Sequence, residues 1–134
     1  MIVVDTNIIC LRWIPAKETA LAEALLRRDP EWSSALLWRW EFRNAMVGYI
    51  RRRSLTAATA VELYGRAETS LAQHEYVAPA QDVFELVTQS ACTAYDCEFV
   101  AIARERGVRL VTADQQVLRE FPHIAISLGD FLDS

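Results

Sequence analysis

Two hydrophobic rhythms alternate along the chain. Short apolar runs that suit buried strands are separated by longer stretches in which apolar residues recur every three or four positions, as one face of a helix requires. Ile2 to Asp5 predicts the first strand, and it ends abruptly in three polar groups, Asp5, Thr6 and Asn7. Ala16 to Arg28 predicts a helix between Pro15 and Asp29-Pro30, with Leu21, Ala22, Ala24 and Leu25 on its apolar side. Ser33 to Leu36 suits a short second strand. A long helix follows to about Arg53, and another runs from the N-cap Thr56 to about Ala72.

Glu75 to Val77, closed by Ala78-Pro79, predicts a third strand. Helices are expected over Asp82 to about Ala91 and over Tyr95 to Arg106, with Gly107 suited to a left-handed cap. Val108 to Thr112 then predicts a fourth strand, Gln115 to Glu120 a helix, and Ile124 to Ser127 a fifth strand before a short C-terminal helix. Strands alternating with helices in this way indicate an α/β layer architecture with a central, mainly parallel five-stranded sheet. In such sheets ligands bind outside the C-terminal strand ends, where strand order reverses.

That rule gives the polar residues after the first strand a purpose. Asp5 stands at the end of strand one and Asp114, in RLVTAD, just past strand four, so both reach the same sheet edge. If the two strands are neighbours, Asp5, Thr6, Asn7, Thr112 and Asp114 share one polar pocket. Each also has a plainer role, because short polar side chains cap helices: Asp5 or Asn7 suits the N-cap of a following helix, and Thr112 or Asp114 the next one. Asp96 follows Thr93 in a capping-box spacing. Glu41 lies between Trp40 and Phe42 on a helical face that continues with Asn44, Ala45 and Gly48, where a half-buried acid calls for a partner, with an arginine the obvious supply.

Composition adds bounds. The 134 residues are 52% hydrophobic and 24% charged, as expected for a single soluble domain spanning 1–134. No apolar run approaches a membrane span and no secretory signal opens the chain, so a cytoplasmic location is expected. Cys10, Cys92 and Cys97 follow neither a zinc nor a disulfide rhythm and read as free thiols. A net charge of −4 argues against a generic basic nucleic-acid module. Thirteen of the 14 basic residues are Arg, however, and five of them lie in Trp38–Arg53 against the lone Glu41. Arg51, Arg52 and Arg53 are therefore candidates for RNA phosphate contact, beside their plainer role as a solvated helix end.

Asp5 in VVDTN, Glu41, Asp96 in YDCEFVAIA and Asp114 in LVTAD together resemble the PIN domain family, and within it the VapC-type toxins. The resemblance covers the whole chain and implies a PIN-like three-layer fold and a metal-dependent endoribonuclease. It implies Asp5, Asp96 and Asp114 as ligands of Mg²⁺, with Mn²⁺ as substitute, and Glu41 as a fourth catalytic acid that either ligates or orients water. Asn7 and Thr112 would support the site. An RNA substrate, a homodimer and a cognate antitoxin follow from the same resemblance. Hard cations prefer oxygen ligands, and a bound ion relieves the repulsion among converging carboxylates. Some relatives carry a further acid after the Asp114 position, where this chain has Gln115 and Gln116; Glu98, about 200° around the helix from Asp96, faces elsewhere.

Other readings are a PIN-domain RNase of RNA processing without a toxin role, or a catalytically silent PIN fold kept as a binding module. A metal-free ribonuclease would pair His74 with His123 as base and acid. Receiver and haloacid-dehalogenase-like folds would need a Lys near the end, and the only Lys is Lys17.

Overall fold

Val3 and Val4 are wholly buried, as befits a strand covered on both faces, and they belong to the middle strand of the sheet. The computed structural model describes residues 1–134. Its strands are β1 (Ile2–Val4), β2 (Trp32–Ala35), β3 (Glu75–Tyr76), β4 (Leu110–Val111) and β5 (Ala125–Ile126). They form one five-stranded sheet in the order β3-β2-β1-β4-β5, with every pairing parallel. Val3 lies opposite Ser33 on one side and Leu110 on the other. The order reverses at β1 and β4, and the crevice expected of an open parallel sheet lies there.

The helices are α1 (Thr6–Trp13), α2 (Thr19–Arg28), α3 (Trp38–Arg51), α4 (Ala57–Leu71), α5 (Ala80–Thr88), α6 (Ala94–Arg106), α7 (Gln115–Glu120) and α8 (Leu128–Asp133). α6 lies across β1, β2 and β4 and carries α5 on its outside, while α1 packs among α2, α3 and α4. No helix is long and apolar enough to cross a membrane. α1 is not marked by the hydrophobic pattern. Its apolar residues Ile8 and Ile9 follow the strand almost directly, so periodicity does not separate the two elements; the N-cap Asp5 does. Strands β3 to β5 are shorter than their apolar runs, since only two residues of each pair with a neighbour.

A polar clamp holds α3 against the edge strand β3. Arg39 donates to both oxygens of Glu75, from Nε at 2.6 Å and from a terminal nitrogen at 2.6 Å, and Trp38 Nε1 adds a third bond at 2.7 Å. The remaining Arg39 nitrogen reaches Glu68 of α4 at 3.0 Å. Trp38 stacks on Tyr64 with ring centroids 5.6 Å apart and packs edge-on against Phe42. The first turn of α3 is thus fixed just before it presents Glu41. Its last turn closes in a Schellman arrangement: Ser54 N–H bonds the Tyr49 carbonyl, Arg53 N–H bonds that of Ile50, and Arg53 takes the left-handed φ of 61° that usually falls to Gly.

Burial raises the Glu75 carboxyl, but the Arg39 and Trp38 hydrogen bonds outweigh it and the net shift is downward. The pair therefore contributes stability above the unfolded carboxyl pKa, and that contribution is lost as pH falls through the depressed folded value. Glu75→Gln is expected to cost about 1–3 kcal/mol at pH 7, and in thermal melts the deficit is expected to shrink as pH falls below the ordinary carboxyl pKa of about 4.3 and on through the depressed folded value. An equal deficit at pH 3 would assign the effect to packing. Arg53→Gly, relieving the left-handed backbone, is expected to raise stability by about 0.5–1 kcal/mol.

Candidate active site

Three of the acids stand at helix starts, Asp5 and Asp114 as N-caps and Asp96 in the first turn of α6. Asp5 caps α1, its Oδ1 accepting from Thr6 N–H at 2.7 Å. Asp114 caps α7, its Oδ1 accepting from Gln116 and Val117 N–H. Asp96 completes a capping box with Thr93 at the start of α6. The plain capping reading therefore holds for all three, and it does not compete with a shared pocket. Asp5, Glu41, Asp96 and Asp114 line one cleft of about 680 Å³ at the C-terminal edge of the sheet.

Hydrogen bonds sew the β1 and β4 ends together. Thr112 Oγ1 donates to Asp5 Oδ2 at 2.8 Å and accepts from Asp114 N–H at 3.0 Å and from Asn7 Nδ2 at 3.3 Å. Asn7 Oδ1 accepts from Ala113 N–H at 3.0 Å. Ser34 Oγ closes the other flank, donating to the Val4 carbonyl at 2.7 Å. The partner of Glu41 is not an arginine: Thr6 Oγ1 donates to Glu41 Oε1 at 2.7 Å. α1 and α3 lie in contact, which brings the neutral hydroxyl of Thr6 to the acid, whereas Arg39 is committed to Glu75 and Arg43 to Tyr64.

Electrostatically the cleft is under tension. Burial pushes the Asp5 carboxyl up from 3.8 to about 6 against the lowering effect of Thr112 and Thr6, and the charges of Glu41 and Asp96 raise it further. Glu41 is raised by burial too, with the Thr6 hydrogen bond opposing and Asp96 adding to the rise. Burial, with Asp5 and Glu41 nearby, pushes the Cys10 thiol in the same cleft to about 12, which removes it as a nucleophile at neutral pH. Glu41 Oε2, Asp96 Oδ1 and Asp114 Oδ2 accept no hydrogen bond from the protein. The donor set is all oxygen and anionic, which fits a hard divalent cation. As the side chains stand, no group of three is arranged to hold an ion, so ligation requires them to turn further inward.

Glu98 lines a neighbouring apolar trough rather than the carboxylate cleft. His74 and His123 line two separate pockets, which leaves no paired-histidine site. Arg51, Arg52 and Arg53 are exposed, and Arg52 lies 4.9 Å over the ring of Tyr49, which lines the cleft. Nothing in the sequence marks Thr6 as the partner of Glu41, or Tyr49 and Tyr95 as cleft walls. The position of Thr6 beside Asp5 was visible; that α3 would meet it was not.

The raised Asp5 carboxyl means its ionised form penalises folding. Its contribution is full below the unfolded pKa of about 4 and is lost as pH rises through about 6. In chelator, Asp5→Asn is expected to be more stable than the parent by on the order of 1–3 kcal/mol at pH 7.5 and equal to it near pH 4. Thermal melts across that range check the sign; a variant less stable at pH 7.5 would overturn it.

No family model matches the chain. Ribonuclease VapC3 of Pyrobaculum aerophilum is 28% identical over 124 residues, which span 90% of this chain and 95% of that protein. The crystal structure of PAE2754 from Pyrobaculum aerophilum matches with a TM-score of 0.77 at 20% identity, covering 98% of this chain and 93% of the other. The similarity thus extends over nearly the whole chain: in sequence the protein resembles a VapC ribonuclease, and its five-stranded parallel α/β fold is consistent with the PIN-like fold.

Proposed function

We propose that the protein is an Mg²⁺-dependent endoribonuclease, with Mn²⁺ as substitute, that hydrolyses RNA phosphodiester bonds. On this reading it is the toxin of a type II toxin-antitoxin pair, a homodimer acting in the cytoplasm and held in check by a small cognate antitoxin. The observation that carries the proposal is the single cleft in which carboxylates from four distant stretches of chain meet at the reversal point of the sheet. The similarity to a ribonuclease over nine-tenths of the chain supports the choice of RNA.

Asp5, Asp96 and Asp114 would hold the cation, which when bound supplies Lewis-acid stabilisation of charge on phosphate and acidifies water. Glu41 has one oxygen fixed by Thr6 and one without a hydrogen bond, and burial raises its pKa; it is suited to orient the attacking water and accept its proton. Thr112 and Asn7 hold Asp5 and the Asp114 loop in register. Arg51, Arg52 and Arg53 give an acidic protein a local positive edge beside the cleft, where phosphate is attracted. A PIN-domain RNase without a toxin role has the same chemistry, and a neighbouring gene for an antitoxin separates the two.

Mg²⁺ or Mn²⁺ is expected to raise the melting temperature in a concentration-dependent way, and Asp5→Asn to abolish that shift. Cleavage of single-stranded RNA is expected to stop in chelator and to fall at least about 100-fold in Asp96→Asn and Asp114→Asn. Cleavage that persists in all of these would remove the proposal. Replacing Arg51, Arg52 and Arg53 together by Gln in the Asp5→Asn background is expected to weaken RNA binding and to flatten its salt dependence by up to about two units of slope. An unchanged slope would leave these residues as a solvated helix end.

A further inference from the structure

Two large aromatic rings at the mouth of the cleft are left to solvent. Trp40 is 53% exposed and Tyr95 64% exposed, although Trp38, two residues before Trp40, is entirely buried. Each ring immediately precedes an acid of the cleft, Trp40 before Glu41 and Tyr95 before Asp96. Both rings line the carboxylate cleft, and both also line an adjoining trough of about 220 Å³ walled by Leu37, Tyr76 and Val77. The trough contains one charged residue, Glu98, against seven apolar ones. A groove therefore runs from the carboxylates past Trp40 and Tyr95 onto an apolar floor. The guanidinium of Arg43 lies 5.8 Å from the Trp40 ring and adds positive charge at its side.

We propose that Trp40 and Tyr95 form a stacking site for an unpaired nucleobase next to the scissile phosphate; the inference rests on the ribonuclease reading above. A cleft walled by four acids repels the RNA backbone, so attraction that does not depend on charge is needed close to it. Aromatic faces supply that, because every base has a π face and single-stranded RNA presents its bases unstacked. The continuity of the trough with the carboxylate cleft favours a base over a protein segment as its occupant.

The test uses the full chain carrying Asp5→Asn, a short single-stranded RNA, and the same oligonucleotide with its bases removed. The intact RNA is expected to bind about 5- to 100-fold more tightly than the abasic one and to quench tryptophan fluorescence. Trp40→Ala and Tyr95→Ala are expected to erase most of that difference, while Trp40→Phe keeps affinity within about threefold and loses the quenching. Equal binding of intact and abasic RNA, with no effect of the alanine variants, would overturn the stacking site and leave the nuclease reading standing. Absence of any RNA binding would overturn both. A change in mass by light scattering in Trp40→Ala with unaltered RNA affinity would assign the ring to a protein interface and overturn the inference.

Discussion

A carboxylate buried at the end of the central strand is the constraint around which the site is organised. Asp5 is 8% exposed and has other acids for neighbours, so its charge is tolerated only through the donors aimed at it. One of those donors is the first amide of α1; the other is the hydroxyl of Thr112 on the adjoining strand. The same hydroxyl orders the Asp114 amide and meets Asn7. Moving either donor, the Thr6 amide or the Thr112 hydroxyl, would leave a buried anion short of a hydrogen bond, and the penalty for that exceeds what most single contacts contribute.

Capping occupies only part of the Asp96 and Asp114 side chains. One oxygen of Asp96 and one of Asp114 serve backbone amides at helix starts, and the other is left without a protein partner. Helix N-termini also bring partial positive charge to the cleft, which eases the crowding of anions by a modest amount. Three helix starts and the first turn of α3 converge on one sheet edge, and that convergence follows from parallel strands whose crossovers all return to the same side. The clamp of Arg39 on Glu75 sets α3 so that Glu41 reaches Thr6.

The order of elements and the strand-end acids were legible because local chemistry marks them: apolar runs stop at Asp5 and just before Asp114, and Thr93, Thr56 and Gly107 punctuate the helices they cap. What escaped depended on contacts across the sheet. α1 was hidden because Ile8 and Ile9 continue the apolar run of β1 after only three polar residues. The partner of Glu41 was expected among the arginines, since charge is visible in a sequence; the hydroxyl that meets it comes from 35 residues earlier. Trp40 and Trp38 look alike in the string WRW, yet a rotation of about 200° along α3 buries one and exposes the other.

The Asp5–Thr112 hydrogen bond joins residues 107 apart in sequence. β1 is the first strand made, and it gains its second neighbour only with β4, which comes from the final quarter of the chain. During synthesis β1 can pair with β2 early, but the carboxylate cleft has no second wall until β4 leaves the ribosome. A nascent chain therefore carries an unfinished cleft for most of its synthesis, and the cleft gains its second wall one strand before the sheet is complete, when β4 docks on β1 and β5 is still to come.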